Sequence, residues 1–83
     1  MKQFQELSSQ SESEDFISPL TARETEILDY IAKGYLNKQI ALILSVSEQT
    51  IKNHVTSVLR KLNANARTEA VVVGIKKGLI SIA

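Results

Sequence analysis

The sequence predicts an all-α domain of four helices over residues 20–83, behind a disordered, flexible acidic arm over residues 1–19. Three observations carry that prediction. Apolar residues recur at helical spacing along residues 20–83, most such stretches open on a capping residue and three of the four close near Gly or Asn, and no stretch reads convincingly as a strand. The chain has 83 residues, room for one small domain when typical domains run ~100–150 residues. That length excludes enzymes built on a doubly wound sheet or a barrel.

The net charge of +1 hides an uneven distribution. The first 19 residues carry one lysine against four acids, net −3, and the rest carries nine Lys or Arg against five acids, net +4. The arm, MKQFQELSSQSESEDFISP, is rich in Ser, Gln and Glu and poor in large apolar residues. Such a segment buries too little surface to offset its ordering entropy, so it reads as a linker ending at Pro19.

The first helix follows Thr21, which forms a capping box with Glu24. Ile27, Leu28, Ile31 and Ala32 share its inner face, and Gly34 is placed to end it. A short second helix is expected from Lys38 to about Leu44, with Asn37 as its N-cap and Ile40, Ala41 and Leu44 inward. Ser47 caps a third, with Glu48 in its first turn, running to about Leu62, where Asn63 can take the left-handed conformation that ends a helix. The fourth covers about Arg67 to Lys77 and stops at Gly78. Val71-Val72-Val73 is β-branched, but its flanks fit a helix better. Ala70, Val71, Gly74 and Ile75 are expected in the core, with Val72 and Val73 outside that arc.

The third helix has two different faces. At about 100° per residue, Gln49, Lys52, Asn53, Thr56 and Arg60 gather on one arc with no acid, opposite Ile51, Val55, Val58 and Leu62. A merely solvated face usually mixes signs at i, i+4. This one holds only cations, amides and hydroxyls, the groups that read base edges in the major groove. A short helix, a tight turn and a longer helix also make a helix-turn-helix, whose second member enters the groove. The start of the second helix, at Asn37 and Lys38, would then face phosphate, and a basic body suits a polyanion. His54 lies between the two arcs and reads as a packed or edge histidine with no sequence-local Asp or Cys to make a catalytic pair.

Other chemistry finds little support. The chain has no cysteine and one histidine, so disulfides, thiolate metal sites and His-rich clusters are excluded; the absence of cysteine fits a reducing compartment. No phosphate-cradling Gly loop or nucleophile–base pair is present, so the chain is not expected to be an enzyme, and no cofactor is expected. No apolar run approaches the ~20 residues of a membrane span, and no secretory signal is visible.

The segments Leu20-Thr-x-Arg-Glu-x-Glu-Ile-Leu, Ala32-Lys-Gly, Asn37-Lys-x-Ile-Ala, Val46-Ser-Glu-x-Thr-Ile-Lys-Asn-His-Val, Lys61-Leu and Arg67-Thr-Glu-Ala together resemble the LuxR/GerE-type helix-turn-helix domain, which closes many response regulators of the NarL/FixJ type. The resemblance covers about residues 20–80. It implies base contacts by Lys52, Asn53 and Thr56 on double-stranded DNA, and backbone contacts by Asn37, Lys38, Thr50 and Lys61, to which Ser47, Gln49 and Arg60 are added as neighbours of the same surface. It further implies a homodimer through the last helix, here with Glu69, Val72, Val73 and Lys76 as the interface, an upstream receiver domain, RNA polymerase as a partner, and a bacterial cytoplasmic location. The chain is then expected to be the effector part of a longer regulator, although stand-alone members exist.

Four positions depart from the family pattern. Leu36 stands where Ser or Thr is usual, Leu42 and Ile43 where charge is frequent, and Ala66 where Asp or Ser often caps the last helix. The last change moves the expected cap to Asn65. The apolar residues 36, 42 and 43 support an alternative reading as a protein-interaction module that does not bind DNA, or a docking site for a receiver domain. A competing expectation for Val72 and Val73 is that Leu79–Ile82 folds back over them.

Overall fold

The computed structural model describes residues 19–81. The arm read over residues 1–19 lies outside them except for Pro19, and Ile82 and Ala83 lie outside as well. The described residues form α1 (Ala22–Ala32), α2 (Asn37–Leu44), α3 (Glu48–Lys61) and α4 (Arg67–Lys76), with no strand among them. The three valines lie inside α4, where the flanking residues had placed them.

Local chemistry sets most of the boundaries. Thr21 Oγ1 accepts the Glu24 N–H at 3.1 Å and Glu24 Oε1 accepts the Thr21 N–H at 2.9 Å, the reciprocal cap expected for α1. Ser47 Oγ accepts the Thr50 N–H at 3.0 Å. Asn63 takes φ +55° after α3, as expected. Two caps differ from expectation. Asn37 is the first residue inside α2 and not its cap; Leu36 holds the extended cap conformation, and Gln39 Oε1 reaches back to the Leu36 N–H at 2.7 Å. The side chain of Asn37 is engaged by Arg67 instead. At α4 the cap does not shift to Asn65. Ala66 occupies it with no side-chain acceptor, while Glu69 Oε1 accepts the Asn65 N–H at 2.8 Å.

The core divides into two clusters that meet along α1 and α3. Ile27, Ile40, Ala41, Ile51 and Val55 join α1, α2 and α3. Leu20, Leu28, Val58, Leu62, Ala70 and Ile80 join α1, α3 and α4. Adjacent residues Ile27 and Leu28 point into different clusters because they lie about 100° apart on the helix. Both are fully buried, with Ile40 and Ile51, and each such side chain contributes about 1.5–3 kcal/mol.

α4 is rotated from its expected setting. Ile75, expected inside, is exposed, and Val73, expected outside, is half-buried against the core. The reason is Gly74. A Cβ there would stand 2.9 Å from Leu28 Cδ2 and 3.2 Å from Ile80 Cγ1. The small residues 70 and 74 bring the α4 backbone against α1, and Val73 follows them inward. The chain does fold back after α4, but onto Gly74: the Leu79 N–H donates to the Gly74 carbonyl at 2.8 Å, and Ile80 packs over it. Val72 is left outside this cover, 44 % exposed.

Candidate nucleic-acid interface

α2 and α3 are joined by Ser45, Val46 and Ser47. Ser45 has φ +58° and ψ +44°, the left-handed conformation that lets a short turn reverse the chain without glycine. The packing of Ile40 and Ala41 with Ile51 and Val55 then holds the two helices as one unit.

With its inner face in the core, α3 turns the opposite face to solvent. Gln49, Lys52, Asn53, Thr56 and Arg60 are all exposed, and His54 and Ser57 flank them half-buried. The exposed side chains are partly ordered. Gln49 Nε2 donates to Asn53 Oδ1 at 3.0 Å, which turns Asn53 Nδ2 and Gln49 Oε1 away from that contact and toward other partners. Ser47 Oγ and Thr50 Oγ1 lie 2.9 Å apart, pairing two hydroxyls at the helix start. Arg60 Nη2 lies 3.5 Å from Ser57 Oγ. Among the described residues no carboxylate stands within ion-pair distance of Lys38, Lys52 or Arg60, so their charges face outward unneutralised.

Two of the expected backbone-contacting residues are engaged inside the fold. Asn37, half-buried, accepts a hydrogen bond from Arg67 Nη1 at 3.0 Å. Lys61 Nζ lies 2.9 Å from Glu24 Oε1, and Glu24 is 4 % exposed. Burial pushes that carboxyl up. The Lys61 ammonium, the Thr21 backbone N–H and Ser57 outweigh it and hold its pKa at about 2. The charge of Lys61 is therefore spent on clamping the end of α3 to the start of α1, which leaves less of it for a phosphate. Spacing along the chain could not have shown this, because 37 residues separate the partners.

Glu69 and Lys76 are exposed on α4 beside Val72, whereas Val73 packs inward, so the outer apolar pair is Val72 and Ile75. Leu36, which caps α2, and Leu42 and Ile43 within it are 65 %, 73 % and 46 % exposed.

Residues 18–73 match the model of a family described as bacterial regulatory proteins, luxR family. The transcriptional regulatory protein DegU of Brevibacillus brevis is 48 % identical over 63 residues, which is 76 % of this chain and 27 % of the relative. The solved structure of the transcription factor GerE superposes with a TM-score of 0.75 at 34 % identity, over 78 % of this chain and 97 % of that one. The response regulator ChrA of a heme-sensing two-component system gives 0.71 at 39 % identity, over 74 % of this chain and 30 % of that one. The chain thus spans about three tenths of the length of DegU and ChrA.

Proposed function

The chain belongs to the luxR family of bacterial regulatory proteins, and on that premise we propose that it is a sequence-specific, DNA-binding transcription regulator that reads the major groove with α3. The observation that carries this reading is the outer arc of α3. Its residues Gln49, Lys52, Asn53, Thr56 and Arg60 are all exposed and none is acidic, and the packed core behind them fixes their direction. Lys52, Asn53 and Thr56 read base edges. Lys38, Thr50, Ser47, Gln49 and Arg60 hold the phosphate backbone beside them, with Asn37 at the start of α2.

Val72 and Ile75, flanked by Glu69 and Lys76, pair two copies on DNA, which sets two α3 helices in successive major grooves roughly 34 Å apart. A receiver domain and RNA polymerase complete the assembly in the bacterial cytoplasm. No helix among the described residues is long and apolar enough to cross a membrane.

The test enriches a duplex from a random-sequence library with the full chain and measures its affinity for variants. Lys52→Ala and Asn53→Ala each weaken binding about tenfold or more, as the loss of a base contact does, with unchanged thermal melting. Wild-type affinity in both variants would reject this reading and favour a protein-binding role for the exposed Leu36, Leu42 and Ile43. Sedimentation showing one copy per palindromic duplex would reject the pairing through α4.

A further inference from the structure

The first residue of α2 and the first residue of α4 touch: Arg67 Nη1 donates to Asn37 Oδ1 at 3.0 Å. A guanidinium only donates and an amide oxygen only accepts. The contact therefore decides which way the Asn37 carboxamide faces, with Oδ1 toward Arg67 and the two N–H groups of Nδ2 on the other side. An asparagine without such a neighbour can present either end. Arg67 is half-buried and lines a cleft of about 410 Å³ together with Ile31, Gly34, Leu36 and Val71. No carboxylate among the described residues stands within ion-pair distance of it.

We propose that Arg67 is a positioning residue for DNA binding, turning Asn37 so that Nδ2 donates to a backbone phosphate at the start of α2. This rests on the DNA-binding reading above. Arg67 acts through the amide and makes no phosphate contact of its own.

The experiment uses the full chain and the library-enriched duplex at several salt concentrations. Asn37→Ala and Arg67→Ala each weaken binding about tenfold, the value of one hydrogen bond to a charged group. The double variant is no weaker than the weaker single one. The dependence of log affinity on log salt is unchanged in Arg67→Ala, because a neutral amide releases no counterion. In the wild type the Asn37 side-chain NH2 resonances shift on adding duplex; in Arg67→Ala they do not, while the α3 backbone amides still do. Asn37→Asp keeps the acceptor for Arg67 and the fold, but puts an anionic oxygen where the N–H groups stood, and it binds more weakly than Asn37→Ala.

Additive losses of about a hundredfold, with the salt slope reduced by about 0.9, would mean that Arg67 touches phosphate itself and would overturn the proposal. Wild-type binding by Arg67→Ala or Asn37→Asp would also overturn it. If Lys52→Ala loses binding while Arg67→Ala does not, only this proposal fails. If no duplex is enriched, the reading beneath it fails too.

Discussion

α3 and α4 pack against the same helix, but by different means. α3 buries Ile51, Val55 and Val58 along one stripe and leaves cations and amides on the other, so its rotation follows from its own residues. α4 carries three consecutive valines and buries only Ala70 and Gly74. Its rotation follows from where a backbone can come close to Leu28 and from where Ile80 returns. A helix with a strong stripe orients itself; a weakly striped helix is oriented by its neighbours.

Substitutions can test that contrast. The largest expected loss is on the stripe of α3. Ile51→Ala empties a fully buried site and costs about 3 kcal/mol in urea unfolding. A loss under 1 kcal/mol would mean that α3 is not held by that stripe.

Next is the clamp at the far end of α3. Glu24→Gln removes one partner of the ion pair with Lys61 and costs about 2 kcal/mol at neutral pH, reduced from a fully buried case because Lys61 is 32 % exposed. The pH dependence has a definite sign. The folded-state pKa of about 2 lies below the ordinary 4.5, so this stability is present above about 4.5 and is lost as the pH falls toward about 2. Wild type and Glu24→Gln should therefore converge in acid; curves that stay parallel down to pH ~2 would contradict the clamp.

Gly74→Val tests the orientation of α4 directly. The added atoms meet Leu28 and Ile80, and overpacking of this kind costs about 2 kcal/mol. Ile75→Ser, at the exposed neighbouring position, should change thermal stability by less than about 0.5 kcal/mol. Equal effects at 74 and 75 would mean that α4 sits as its sequence alone suggested.

A substitution in the turn before α3 has the opposite sign. Ser45→Gly relieves the left-handed turn into α3 and should stabilise by about 0.5–1 kcal/mol. An unchanged or lowered melting temperature would count against a strained residue there.

The outer arc of α3 is legible in the sequence. The arc of Lys52, Asn53 and Thr56 follows from helical period once Ser47 sets the start of the helix, and all three are exposed. Asn37 and Lys61, which the family resemblance places against the DNA backbone, each also have a partner within the fold, Arg67 and Glu24. Glu24, legible in the sequence only as half of a capping box, is buried. A capping box announces its local hydrogen bonds, but a cation arriving from 37 residues away leaves no local trace.

The amino-acid sequence by itself determined four helices, most of their ends, the helix-turn-helix and the two faces of α3, because capping, left-handed stops and apolar period act between residues a few positions apart. Tertiary structure alone decided the rotation of α4, the burial of Glu24 against Lys61 and the facing of Asn37 toward Arg67. Each of these depends on how closely two distant backbones approach, and that distance is set by the packed core as a whole.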